Sequence, residues 1–181
     1  VDQELLGALD LGGLRVCDEP VEPARPDNGT ELQLPFVRFF FPTAKLLVLG
    51  AAANQSAGTL GERVAHAALS LGRRAVYVGS TDLTHYGPRF EFEPVESQRS
   101  RRWVLEDNDR RFLSPLIDGD VEALLEGALE FKSACCPGAV AAAMSAARVS
   151  GDLEPQILAH YCSPAQAPND ANFVSYAGAV F

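Results

Sequence analysis

The residues best suited to catalysis or metal binding follow one short hydrophobic run. The segment 78–92 (VGSTDLTHYGPRFEF) leaves this run at Gly79 and then presents Asp82 and His85 three residues apart. A carboxylate at this spacing can orient an imidazole, fix its tautomer and raise its basicity, as it does for catalytic and metal-bound histidines. The structural alternative is that Asp82 caps a short helical turn and that His85 packs as a hydrogen-bonded polar residue.

A pair of cysteines forms the second candidate group. Cys135 and Cys136 stand directly before Pro137, a residue type favoured in the first turn of a helix. The positive end of a helix dipole favours the thiolate, which is the form that ligates metals and attacks electrophiles. The alternative is that both thiols are small, buried apolar groups.

The third segment, 27–36 (DNGTELQLPF), has a simpler explanation. Asp27 or Asn28 precedes a helical pattern, and Glu31 lies in its first turn. A polar cap and an acidic residue near a helix start are explained by capping and by the helix dipole alone. No glycine-rich phosphate loop, CxxC, HExxH or GxSxG motif is present in the sequence.

The elements that must position these residues alternate between helices and strands. The apolar spacing predicts helices over 2–9, 30–40, 59–71, 97–113, 120–131 and 137–151, and strands over 44–49, 74–79, 156–161 and 173–181. Thr59 and Glu62 predict a capping box for the third helix. The alternation predicts an α/β fold whose central, largely parallel or mixed sheet is flanked by helices. The ligand crevice of such a sheet lies beyond the carboxyl ends of its strands.

Composition limits the kinds of partner. The chain has 181 residues, the size of one domain, and its 15 basic against 24 acidic residues give a net charge of −9. This balance argues against nucleic acid and anionic membranes as partners, although not against a small substrate. No apolar stretch approaches the ~20 residues that span a bilayer, and no signal peptide is visible. The four cysteines lack a disulfide framework, which predicts reduced thiols and a cytoplasmic location.

Taken together, these segments resemble the Memo family (AmmeMemoRadiSam system protein B), which is related to the catalytic subunit of class III extradiol dioxygenases. The family's SSDxxHYGxxF stretch is similar to STDLTHYGPRF here, and its EHSxExQLPF stretch is similar to DNGTELQLPF. Its cysteine turn before an alanine-rich helix resembles CCPGAVAAAM, and its closing SVSYA strand resembles FVSYAGAVF. The resemblance implies a class III extradiol dioxygenase-like α/β fold with its crevice at the strand ends.

The resemblance also implies a metal site of two histidines and one cysteine. Such a set leaves coordination positions open, which suits Fe(II) and O₂ chemistry. Cys135 matches the cysteine ligand, and Asn28 stands at the position of the second histidine. His85 then acts as the general acid or base, oriented by Asp82. The substrate contacts expected on the same basis are Ser80, Tyr86 and Glu31.

The family's first ligand histidine lies upstream of Val1. We therefore expect 1–181 to be a single Memo-like domain that lacks its first strand region and is completed by a second chain or an N-terminal fragment. The predicted function is that of a metal-dependent oxygenase-like enzyme or enzyme subunit with non-haem iron, acting on a small, aromatic type of substrate. Copper, or no metal, is the alternative cofactor prediction.

Two other functions stay open at this point. A divergent member that has lost the metal would be a non-catalytic binding or scaffold protein. A metal-free enzyme would use Cys135 as a nucleophile, with His85 as its base and Asp82 as the group that orients the base.

Overall fold

The computed structural model describes residues 1–15, 27–151, 154–165 and 171–181. Helices and a small sheet share this part of the chain, which confirms the α/β class. The helices are α1 (Gln3–Ala8), α2 (Asn28–Glu31), α3 (Leu34–Phe40), α4 (Ser56–Ser70), α5 (Ser97–Trp103), α6 (Arg110–Asp118), α7 (Val121–Phe131) and α8 (Pro137–Ser150). The strands are β1 (His85–Tyr86), β2 (Gln156–Cys162) and β3 (Phe173–Val180).

The sheet has the order β1-β3-β2, and both pairings are antiparallel. His85 lies opposite Val174, and Tyr161 lies opposite Tyr176. Within the described residues the sheet is therefore smaller, and more antiparallel, than the alternating sequence pattern predicts. Its short first strand matters for function because it carries His85 at the point where the preceding loop joins the sheet.

Two of the predicted strands are wrong. The segments 44–49 and 74–79 form neither strand nor helix in the structure. A strand requires a neighbouring backbone that satisfies its N–H and C=O groups, and apolar content alone cannot supply one. The side chains that suggested burial face outward instead, since Val48, Val76 and Val78 are 54%, 81% and 68% exposed.

The predicted helices are present, with altered boundaries. The pattern at 30–40 divides into α2 and α3, and the pattern at 97–113 divides into α5 and α6, joined by a wide π-helical turn over Val104–Asn108. The predicted capping box at Thr59 is wrong because α4 begins at Ser56. Asn54 Oδ1 accepts hydrogen bonds from the Ser56 N–H (2.8 Å) and hydroxyl (2.6 Å).

The core forms where α8 packs against α4 and α7. Gly61 of α4 allows this approach, because a Cβ there would lie 2.0 Å from the carbonyl oxygen of Ala142. The α8 side chains that fill this core include Val140 and Met144. Tyr86, Val104 and Phe173 form a second buried cluster beneath β1. None of the helices in the described part of the chain is long and apolar enough to cross a membrane.

Candidate functional site

Close backbone contact brings the loop that leads to His85, residues 79–84, to the start of α8. We call this segment the histidine loop. A Cβ at Gly79 would lie 2.7 Å from the carbonyl oxygen of Ala139 and 2.8 Å from Val140 Cα. A Cβ at Gly138 would lie 2.4 Å from the carbonyl oxygen of Ala52. A side chain at Gly79 would therefore push the loop away from α8, and one at Gly138 would push away the backbone at 51–52. Glycine at each position allows the contact.

Hydrogen bonds then fix the Cys135 thiol against this loop. The Cys135 N–H donates to the Asp82 carbonyl oxygen (3.0 Å), and the Asp82 N–H donates to Cys135 Sγ (3.4 Å). Thr81 Oγ1 accepts the Cys136 N–H at 2.9 Å and lies 3.7 Å from Cys135 Sγ. These hydrogen bonds fix the position of residues 135–136 relative to the loop, and the sulfur faces the part of the loop that carries Asp82.

Asp82, His85 and Cys135 come together at one place. His85 Nε2 lies 3.3 Å from Asp82 Oδ2, and the imidazole packs against the Phe90 ring at a centroid distance of 4.9 Å. One oxygen, one nitrogen and one sulfur from the three side chains all lie within 4.8 Å of one another. We call these three residues the triad. Their catalytic and metal-binding roles remain predictions at this point.

The surroundings of Cys135 favour its thiolate. Burial alone raises the pKa of this thiol, but hydrogen bonds with His85, the Asp82 N–H, Thr81 and Cys136 lower it, and the net value is about 7. The hydrogen bond with Cys135 raises the pKa of His85, outweighing burial, and Asp82 adds to this effect. Their interaction therefore favours the thiolate form of Cys135 and the protonated form of His85.

The neighbouring thiols behave differently. Burial, the hydrogen bond with Cys135 and the charges of Asp27 and Asp82 raise the pKa of Cys136 to about 11. Burial also raises the pKa of Cys162 to about 11. Cys135, Cys136 and Cys162 are all free thiols, while Cys17 lies outside the described residues. Among the described cysteines, Cys135 is the one whose thiolate is accessible at neutral pH.

The other predicted site residues lie in the loop before β1, in α2 and in β1. Ser80 adjoins the start of α2, since a Cβ at Gly29 would lie 3.6 Å from Ser80 Oγ. Asn28 and Glu31 are exposed residues of α2. Tyr86 is 1% exposed, stacks on Phe173 and donates its hydroxyl hydrogen to the Val95 carbonyl oxygen. Tyr86 thus has a packing role in the structure, and the substrate contacts and the Asn28 ligand remain predictions.

Sequence reasoning missed a buried polar network behind His85. Its centre is Asp109, which is 0% exposed and bonded to Thr84, Ser175 and His160. Asn108 bonds Thr84 as well. The sequence offered little signal, because Asn108 and Asp109 stand in a strongly charged stretch typical of a solvated helix face, and His160 alone did not point to a carboxylate.

Comparisons with known proteins agree with the motifs. A family model described as Memo-like protein matches residues 1–180. A "MEMO1 family protein" of Thermococcus onnurineus is 28% identical over 196 residues, covering 100% of this chain and 65% of the relative. One from Thermococcus kodakarensis is 27% identical with the same coverage. One from Pyrococcus horikoshii is 27% identical and covers 75% of this chain and 49% of the relative. The chain thus spans less than two thirds of these relatives' length.

Proposed function

The chain belongs to the Memo-like protein family, and from that premise we propose that it is a metal-binding, oxygenase-like enzyme or enzyme subunit that acts on a small, aromatic type of substrate. The observation that carries this proposal is the convergence of a carboxylate oxygen, an imidazole nitrogen and a thiol sulfur within 4.8 Å of one another. Transition-metal sites use these donor atoms, and a thiol beside an imidazole that a carboxylate orients is also the arrangement of thiol enzymes.

The donor set fits a transition metal. Sulfur and imidazole donors suit iron, copper and zinc, and three protein donors leave positions open for a substrate or water. Because the pKa of Cys135 is lowered to about 7, protons compete with a metal for this sulfur less than they would at an ordinary thiol. Asp82, His85 and Cys135 would hold the metal, with Fe(II) as the first candidate and copper as the second. When bound, such an ion would supply Lewis-acid and redox chemistry at the open positions.

Metal reconstitution tests this proposal. The purified chain is loaded without oxygen with Fe(II), and separately with copper or zinc, then desalted and measured for metal by mass spectrometry. We expect about one ion per chain in the wild type, and a loss of bound metal in Cys135→Ala. Cys162→Ala is the matched control because it removes a free thiol outside the triad. Absence of stoichiometric metal both in the chain alone and in the chain purified with a completing segment, or full retention in Cys135→Ala, would contradict the proposal.

A metal-free thiol enzyme is the second candidate, and the lowered pKa of Cys135 favours it. Cys135 would attack a carbonyl carbon, His85 would move the proton at Nε2, and the Asp82 carboxylate at 3.3 Å would orient the imidazole. With p-nitrophenyl acetate as the probe, the sulfur gains the acetyl group and p-nitrophenolate leaves. A burst of p-nitrophenolate that survives in Cys162→Ala and disappears in Cys135→Ala would support this candidate, and equal reactivity of both variants would reject it.

We also propose that a second chain or an N-terminal fragment completes this domain. Two facts support it: the matched relatives are longer than this chain, and the apolar segments 44–49 and 74–79 have no strand partner among the residues that the structure describes. Further ligands supplied by such a segment, together with Asn28, would free His85 for the acid–base role implied by the family resemblance. Purification of the tagged chain from its source cells should then yield a polypeptide with Memo-like sequence outside the matched region. Recovery of the tagged chain alone would argue against it.

We place the active form in the cytoplasm. Cys135 and Cys136 are exposed free thiols, and a reducing compartment protects an exposed thiol of lowered pKa from oxidation. Cell fractionation with an antibody against the chain tests this location, and recovery in an oxidising compartment would contradict it.

A further inference from the structure

A fully buried carboxylate lies directly behind the histidine loop. Asp109 Oδ1 accepts hydrogen bonds from the Thr84 hydroxyl (2.5 Å), the Thr84 N–H (3.3 Å) and the Ser175 hydroxyl (3.0 Å). Asp109 Oδ2 lies 2.7 Å from His160 Nε2. Both oxygens of this side chain are thus occupied, and two of the four contacts are with the residue that immediately precedes His85.

The wide helical turn explains how this arrangement forms. Successive residues of a regular helix point about 100° apart, so two neighbours rarely reach the same target. The π-helical turn over Val104–Asn108 changes this spacing. As a result both Asn108, its last residue, and Asp109, the next one, are buried in the protein interior, at 1% and 0% exposure. Asn108 Nδ2 donates to Thr84 Oγ1 (2.9 Å) and to the Phe131 carbonyl oxygen (3.2 Å). Wide turns of this kind occur frequently at functional sites.

The backbone of Thr84 is held from the sheet as well. Its carbonyl oxygen accepts the Ser175 N–H at 3.0 Å, and the neighbouring Leu83 N–H donates to the Ser175 carbonyl oxygen at 3.0 Å. Thr84 therefore contacts the π turn through its side chain and N–H, and β3 through its carbonyl. The residue joined to Thr84 by the next peptide bond is His85.

We propose that Asp109 is a positioning residue of the site, which acts through Thr84 to hold His85 against Asp82 and Cys135. A buried carboxylate costs free energy unless several hydrogen bonds compensate it, and an apolar residue would fill the same space at lower cost. Here two of the hydrogen bonds of Asp109 are with Thr84, and they fix the direction in which the backbone enters β1. The inference rests on the proposed function only for the pairing of His85 with Cys135 and needs no metal.

The test uses the metal-free protein and the rate at which iodoacetamide alkylates Cys135 at pH 7, with Cys162 as the reference within each sample. Thr84→Val removes the hydroxyl and keeps the shape of the side chain, whereas Thr84→Ser keeps the hydroxyl. Displacement of His85 would lower the share of thiolate at Cys135. If this costs one unit of pKa, alkylation in Thr84→Val and Asp109→Asn should become about five-fold slower, while Thr84→Ser stays within about two-fold of the wild type.

Ser100→Ala is the control for a general loss of stability. Ser100 is also buried, at 4% exposure, and its hydroxyl donates to the Ser97 carbonyl oxygen outside the network. Wild-type alkylation in a folded Thr84→Val would overturn the proposal, and so would an equal slowing in Ser100→Ala. If Asp109→Asn fails to fold, the comparison of Thr84→Val with Thr84→Ser decides the question. A failure to bind metal leaves this experiment unchanged, so the two proposals fail separately.

Discussion

Cys135 differs from the other described cysteines in what surrounds its sulfur. The residue is exposed, although its thiol is partly shielded from solvent, which raises the pKa. Hydrogen bonds with the loop and with His85 outweigh this effect and lower the pKa to about 7. Cys162 lacks this compensation, and burial raises its pKa to about 11. The difference sets which sulfur reacts with electrophiles at neutral pH.

The first prediction concerns the pH dependence of this reaction. In the metal-free chain the rate of Cys135 alkylation should rise as pH increases through about 7 and then level off, because the thiolate is fully formed above its pKa. The rate at Cys162 should still rise toward about 11. Mass spectrometry of peptides after timed iodoacetamide exposure separates the two sites. His85→Gln should move the Cys135 midpoint upward by about one unit, and an unchanged midpoint would contradict the assigned hydrogen bond.

The second prediction concerns the carboxylate of Asp82. Asp82→Asn keeps the size of the side chain but removes its charge, and it weakens the contact at 3.3 Å that holds His85 Nε2. Whether Asp82 ligates the metal or orients His85, affinity for Fe(II) should fall by about 10–100-fold. Competition with a chelator measures this change. Asp118→Asn, at the end of α6, is the matched control, and an equal loss there would indicate a general charge effect.

At the level of the elements, the site depends on how closely the 79–82 segment approaches the start of α8. Gly79 lies against the Ala139 carbonyl with no room for a Cβ. The third prediction is that Gly79→Ala lowers the free energy of unfolding by about 1–3 kcal/mol and also slows Cys135 alkylation, because the loop must move away from the helix. Urea unfolding and the alkylation assay measure the two effects. Gly50→Ala should change neither, since a Cβ there meets no atom within 4 Å. A stable, fully reactive Gly79→Ala would show that the contact is not required.

Much of this element-level arrangement could be predicted from the sequence, and the reasons are specific. The spacing of Asp82 and His85, and the position of Cys135 before Pro137, depend on local patterns that sequence exposes directly. Local patterns could not decide whether 44–49 and 74–79 form strands, because a strand depends on a partner that can lie anywhere in the chain. The Asp109 network escaped prediction because a π turn changes which residues face inward, and charge pattern alone indicates solvent.

At the scale of the whole molecule, several large apolar side chains are exposed to solvent. Exposed apolar side chains include Phe36, Phe39, Phe40, Phe41, Val48, Val76 and Val78. Where exposed apolar side chains are contiguous, they mark interaction surfaces of soluble proteins, or places where isolated chains associate. Their exposure here is consistent with the proposal that a further segment completes the domain.

The fourth prediction tests whether Val76 and Val78 act as such a surface. Because they are 81% and 68% exposed, replacing both with serine should change the free energy of unfolding by less than about 0.5 kcal/mol per site. The same change should reduce self-association of the isolated chain at high concentration, measured by light scattering. Val140→Ser, in the core next to α4, should instead destabilise the fold strongly. A large loss of stability in the Val76 and Val78 variant would show that these side chains are packed.

The contact between Asp82 and Cys135 joins residues 53 positions apart, and the hydrogen bond from Ser175 to Thr84 joins residues 91 positions apart. Closing such long loops carries an entropic cost that must be met before the contacts can form, and long-range contacts slow folding. A refolding chain therefore gains its reactive sulfur only after the loop at 81–85 has met the start of α8. The rate of Cys135 alkylation, measured at successive times during refolding, would therefore report when tertiary structure forms. Formation of helices alone would leave this rate unchanged.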